Sequence, residues 1–280
     1  MSVTRRNRGD TGLPRSTRRR PRLSPPLFIL IPAAIGLALF VVPVLGLLVR
    51  TPWRNLLSLL SAEMVIDTLW LSLVSSVAAA VISLAVGVPL AWVLARSDLP
   101  GRSVVRGLVL LPMVLPPVVG GAVLLFALGR RGLVGAPLER VTGITLPFTT
   151  WGVIVAVSFV AMPLMVITVE GALRNLDPGF ERAAETLGAG RWTVLRRVTL
   201  PMIAPSLVAG TALTWARALG EFGATLTFAG NLQGRTQTLP LAVFVALESD
   251  RDTAIALSLL MVVVSLVVLV ALRDHWWRRR

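Results

Sequence analysis

Arg217 and Glu221 lie four residues apart inside an otherwise apolar run, residues 203–228. On a helix that spacing puts the two side chains one turn apart on one face, and Gly210, Thr214 and Thr225 join them at steps of 4, 3, 4 and 4. Two kinds of chemistry are open to such a stripe. It can hold an ion pair whose members neutralise each other inside a packed bundle. It can also wall a path, with Arg217 offsetting the charge of a passing dianion. Covalent and acid–base chemistry has little to work with. There is no cysteine, and the single histidine, His275, stands in a basic tail, which sets aside thiol nucleophiles, Cys-ligated zinc and histidine bases. Neither a G-x-S-x-G elbow nor an H-E-x-x-H pair occurs, and no two aspartates lie deep in an apolar run, which disfavours an intramembrane enzyme. All 28 basic residues are arginine. Without a lysine the chain lacks the phosphate-binding side chain of a P-loop, and it is expected to bind neither nucleotide nor metal nor any other cofactor itself.

The elements that carry these residues follow from composition. Of 280 residues, 55% are hydrophobic and 15% charged, with a mean hydropathy of +0.77. A soluble domain is about a quarter charged, so this chain belongs in a membrane. Six stretches approach or exceed the roughly 20 apolar residues that cross a bilayer: 27–49, 66–95, 107–128, 151–169, 203–228 and 253–272. Lipid tolerates only backbone that satisfies its own hydrogen bonds, and none of the six alternates like a short strand. The expectation is an all-α, polytopic membrane protein with six transmembrane helices. Arginines on alternate loops number 20 on one side and 7 on the other, which puts both termini and the 170–202 loop in the cytoplasm. The formal charge of +14 sits at the edges of apolar runs rather than along an amphipathic surface, so lipid headgroups, not nucleic acid, are the expected polyanion.

Three segments result. Residues 1–26 read as a disordered, basic cytoplasmic N-terminus, 27–272 as the membrane domain, and 273–280 as a basic cytoplasmic tail. The paired arginines before the first apolar run suggest a twin-arginine signal, but "VRTPWRN" after that run offers no small-x-small cleavage site, and a retained helix is expected. In the second stretch Thr68, Ser72, Ser75 and Ser83 recur at near-helical spacing, as a polar wall or as small residues for close packing. Pro112, Pro116 and Pro117, followed by Gly120 and Gly121, predict a kinked or broken third helix.

Between the fourth and fifth stretches lies a polar island, "LRNLDPGFERAAETLGAGRW". Asp177 fits an N-cap and Pro178 the first helical position. Phe180, Ala183, Ala184 and Leu187 then follow i, i+3, i+4, i+7, while Glu181, Arg182 and Glu185 point elsewhere. Gly188 suits the left-handed residue that closes the helix, and Gly190 allows a second turn before another short helix at about 192–198. So short a helix is marginal alone. Its apolar face must dock, on lipid as an interfacial connector or on a cytoplasmic partner.

The spacing of Ala183-Ala184, Gly188 and Leu200-Pro201 resembles the EAA loop of ABC-importer permeases, with Arg182 in the usual glutamate column and Glu181 one residue earlier. The resemblance covers about residues 60–272, and "LPMVLPPVVGG" and "ARALGEFGATLTFAGNLQGRTQTLPLAVF" are similar to the molybdate branch of that family, with sulfate permeases close by. It implies a type I ABC importer permease (MetI-like) fold. It implies that the loop at about 171–201 carries coupling helices, with Phe180, Glu181, Arg182, Ala183, Ala184, Glu185, Leu187 and Gly188 engaging a groove of a separate ATP-binding cassette ATPase, the subunit that uses ATP and Mg. It also implies a homodimer around one path, a periplasmic or lipid-anchored binding protein that delivers molybdate, and tungstate, sulfate or thiosulfate as alternative cargo. The candidate path residues are Thr214, Arg217, Glu221, Thr225, Ser72 and Ser75. An ion-coupled secondary transporter would call for titratable groups at the midplane of two pseudo-symmetric halves, and would leave the coupling loop unexplained.

Overall fold

The computed structural model describes residues 27–98 and 100–277, with side chains from 28 to 270. The expected basic N-terminus, 1–26, and the last three residues of the expected tail lie outside the described residues. Among the described residues every regular element is helical. Helix α1 (Leu27–Arg50), taken by itself, is apolar up to its terminal Arg50, contains Pro32 and Pro43, and exposes most of its side chains. A second unit, from Leu47 onward, is built from α2 (Glu63–Arg96), α3 (Arg102–Val114), α4 (Pro117–Leu128), α5 (Thr150–Asn175), α6 (Pro178–Thr186), α7 (Arg191–Met202), α8 (Ala204–Leu219), α9 (Gly223–Ala229), α10 (Leu239–Ser249) and α11 (Arg251–Trp277), with two short connecting helices, Leu56–Leu60 and Gly135–Thr142.

The core of this unit is α5. The Gly152 N–H donates to the Thr149 hydroxyl at 3.1 Å, capping its start. From there Val153, Val157, Ala161, Met165, Val169 and Leu173 recur every fourth residue and are all buried. Ala79 of α2, Ala218 of α8 and Ala229 of α9 meet the upper part of this stripe, and Ala91 and Leu94 of α2 meet the lower part. Alanines recur because helices in lipid gain little from hiding apolar surface; close backbone approach and dispersion hold them together instead.

Helices α1, α2, α5 and α11 are each long and apolar enough to cross a membrane, and α7 with α8 makes a fifth if the pair, bent by 70° at Ile203, counts as one span. All six apolar stretches are helical, but two are broken. The third breaks where its prolines predict. Leu115 and Pro116 are extended, with ψ of 138° and 136°, because a residue before proline is pushed out of the helical region, leaving α3 and α4 as two short pieces.

The second break corrects the sequence expectation. Residues 203–228 read as one helix, yet α8 ends at Leu219 and α9 starts at Gly223. At the break, between Gly220 and Gly223, the Glu221 carboxylate accepts the Ala224 N–H at 2.8 Å and so satisfies an orphan donor at the start of a new helix. The two half-length helices α4 and α9 lie against each other with almost no gap. A Cβ on Gly121 would stand 2.6 Å from Thr227 Cβ and 2.8 Å from the Ala224 carbonyl oxygen, an approach only glycine permits.

Residues 229–252 read as an outer loop, and here too the structure differs. They contain α10, an apolar helix of 11 residues, too short to register as a span. Its Leu239, Ala242 and Ala246 are buried against Val65 of α2 and Ala254 and Leu257 of α11.

Candidate functional site

The polar island forms the helix its sequence describes. Asp177 caps α6 by accepting the Gly179 N–H at 2.8 Å, and Pro178 follows at the first turn. At the other end Gly188 has φ +86°, its N–H donates to the Glu185 carbonyl at 2.9 Å, and the Ala189 N–H donates to the Ala184 carbonyl at 3.0 Å. That pair of bonds is the Schellman closure, which needs a left-handed residue at this point. No residue of α6 is buried. Phe180 is 54% exposed and Leu187 88%, Arg182, Ala183 and Glu185 are exposed, and Ala184 is half-buried. An apolar face on a fully capped helix therefore stands uncovered.

Glu181 turns the other way. Its Oε2 lies 3.1 Å from Nη2 of Arg96 at the end of α2, an ion pair whose N–H is not aligned as a hydrogen bond. Its Oε1 accepts the hydroxyl of Thr199 in α7 at 2.7 Å. These groups border a pocket of about 400 Å³ shared with Trp92, Arg191 and Trp192. Thr199 closes a π-helical turn, Leu195–Thr199, just before the 70° bend into α8. A second carboxylate, Glu170, is buried near the end of α5 and pairs with Arg106 of α3 and with Arg174, the latter at 3.1 Å. The sequence reading missed Glu170; its signal was an acid just past the fourth apolar stretch with an arginine four residues on.

In the membrane-embedded stripe, Nη1 of Arg217 donates to Oε2 of Glu221 at 2.6 Å. The other oxygen, Oε1, takes the Ala224 N–H. Glu221 is buried, and the guanidinium-bearing side chain of Arg217 is 37% exposed. Thr214 and Thr225 are fully buried, and their hydroxyls find no hydrogen-bond partner among the described residues. Ser72 and Ser75 are also buried; the Leu239 N–H donates to Ser72 Oγ at 2.6 Å, and Ser75 donates to the Ser72 carbonyl at 3.3 Å. Of the six candidate path residues, then, five lie inside the core of the single chain and Arg217 reaches its surface. The stripe also spans a helix break: Glu221 stands between α8 and α9, and Thr225 belongs to α9.

Residues 87–279 match the model of the family described as the binding-protein-dependent transport system inner membrane component. The chain belongs to this family. The permease is 46% identical over 245 residues to the molybdenum transport system permease protein ModB of Mycobacterium tuberculosis, covering 87% of this chain and 92% of that one. It is 41% identical over 209 residues to the ModB of Escherichia coli K12, covering 75% and 91%. The crystal structure of a bacterial ABC transporter involved in the import of the acidic polysaccharide alginate superposes with a TM-score of 0.72 over 90% of this chain and 94% of that chain, at 20% identity. The permease therefore has an all-α ABC-importer fold and is a transport subunit of the inner membrane.

Proposed function

We propose that this permease is the membrane-spanning subunit of an ATP-driven importer of molybdate, acting as a homodimer with two copies of an ATP-binding cassette ATPase on the cytoplasmic side. The observation that carries the reading is the uncovered apolar face of α6, presented by a helix closed at both ends and tied back to α2 and α7. A capped helix with Phe180 and Leu187 outward is shaped to fill a groove, and burying those two side chains would contribute roughly 1.5–3 kcal/mol each. One α6 offers one docking site, whereas ATP sites in this class form between two ATPase subunits, so two permeases are needed.

The cargo assignment is supported by the similarity to molybdenum permeases along most of the chain. Arg217 fits a tetrahedral dianion in a particular way. An unpaired arginine in a poorly hydrated passage would hold a dianion tightly, and conduction needs sites that release as readily as they bind. The contact with Glu221 removes part of that attraction, leaving a shallow site at the partly exposed Arg217 side chain. A binding protein delivers the anion from outside, and both termini and α6 face the cytoplasm.

The test is reconstitution of the permease with its ATPase and binding protein in proteoliposomes. ATP-dependent uptake of radiolabelled molybdate, blocked by excess unlabelled molybdate and unaffected by sulfate, is the expected result. Displacement by sulfate at equal concentration would reassign the cargo, and uptake without ATP would overturn the class.

A further inference from the structure

Among the described residues, the side-chain bonds that join helix α6 to other elements are made by Glu181. None of its residues is fully buried, it follows α5 through the extended Leu176 and Asp177, and it leads into α7 through the left-handed turn at Gly188. Both connections interrupt the helical hydrogen-bond ladder, so α6 is not rigidly continuous with either neighbour. A force applied to α6 alone would be absorbed in them. Against this stands one side chain with two partners on two different elements: Arg96 at the end of α2, and Thr199 in the π-helical turn that precedes the elbow between α7 and α8. The carboxylate is more than four-fifths buried, as is Arg96, so water competes little for either contact. Single π-helical turns within α-helices are frequent at functional sites, and this one lies at the place where a rotation of α7 would be passed to α8.

We propose that Glu181 is a positioning residue for transport: it locks α6 to α2 and to the α7–α8 elbow, so that a displacement of α6 moves those helices instead of being taken up by its hinges. The proposal rests on the reading of α6 as the ATPase docking element, and it assigns Glu181 an inward role, distinct from the outward Phe180 and Leu187. Coupling then has two separable parts. The apolar face grips the partner, and the carboxylate transmits.

The two arms can be cut one at a time. Glu181→Gln keeps an oxygen for the Thr199 hydroxyl and removes the charge that pairs with Arg96; Thr199→Val removes the other arm at nearly constant volume. In proteoliposomes holding the complete transporter, molybdate taken up per ATP hydrolysed is expected to fall about tenfold in Glu181→Gln and several-fold in Thr199→Val, while the ATPase still co-purifies. The exchange Arg96→Glu with Glu181→Arg restores an ion pair and leaves an arginine that can donate to Thr199, and should recover much of the ratio. If Glu181→Gln does not assemble, Thr199→Val and the exchanged pair carry the test. An unchanged ratio in Thr199→Val and Glu181→Gln overturns the proposal, as does failure of the exchanged pair to recover any coupling in an assembled complex. A wild-type permease that binds no ATPase would sink the docking reading itself and this inference with it.

Discussion

The carboxylate of Glu221 holds two groups at once: the Arg217 guanidinium at 2.6 Å through one oxygen and the Ala224 N–H at 2.8 Å through the other. The residue is therefore both counter-ion and helix cap, and the two roles respond differently to substitution. Glu221→Leu strands Arg217 and uncaps α9, and is expected to destabilise the permease by about 1–3 kcal/mol, a range reduced because the arginine is partly exposed. In the double substitution Arg217→Leu with Glu221→Gln, the glutamine oxygen still accepts from Ala224 and no charge is left alone. That variant should melt in detergent close to wild type. If Arg217 eases a dianion along the path, the same preparation takes up molybdate far more slowly; wild-type uptake would reduce the pair to a structural one.

Gly188 isolates the contribution of backbone geometry to docking. A Cβ there meets nothing within 4 Å, yet φ is +86°, so any cost of substitution comes from the backbone alone. Gly188→Val should cost about 1–2 kcal/mol of local stability and misplace the turn, whereas Gly188→Asn, which tolerates the left-handed region, should be mild. Co-purification of the ATPase, and ATP hydrolysis stimulated by substrate-loaded binding protein, should fall for valine and hold for asparagine.

The contact between the two half-length helices should be equally sensitive. Gly121→Ala places a methyl 2.6 Å from Thr227 Cβ and 2.8 Å from the carbonyl of Ala224, the residue whose N–H Glu221 holds. Backbone has to move. A loss of about 1–3 kcal/mol is expected from overpacking, read as a lower melting temperature of the purified permease in detergent. An unchanged melting temperature would mean that α4 and α9 separate freely.

Orientation is open to a direct check in a chain without cysteine. Arg191 at the start of α7 and Gln233 beyond α9 are both exposed, and α8 and α9 lie between them. In intact cells a membrane-impermeant maleimide should label Gln233→Cys and spare Arg191→Cys, with the reverse in inside-out vesicles. Labelling of both positions from one side would overturn the assignment of α6 to the cytoplasm.

What the amino-acid sequence determined by itself is local. Capping, proline placement and apolar periodicity act over a few residues, so the all-helical fold, the break before Pro117 and the whole of α6, from Asp177 to Gly188, are legible without coordinates. The remaining features depend on partners far along the chain. Ser72 meets Leu239 across 167 positions, Arg106 meets Glu170 across 64, and Glu181 finds Arg96 in one helix and Thr199 in another. Periodicity assigned Thr214, Arg217, Glu221 and Thr225 to a common face because it counts residues along an assumed helix. It does not register that the helix ends at Leu219 and that a buried carboxylate caps the next one. Which hydroxyls are buried in the chain's own core, and which charge reaches its surface, follow from the packing of α2, α5, α8 and α9 around one another; burial is a property of neighbours, and the neighbours are set only when the helices assemble.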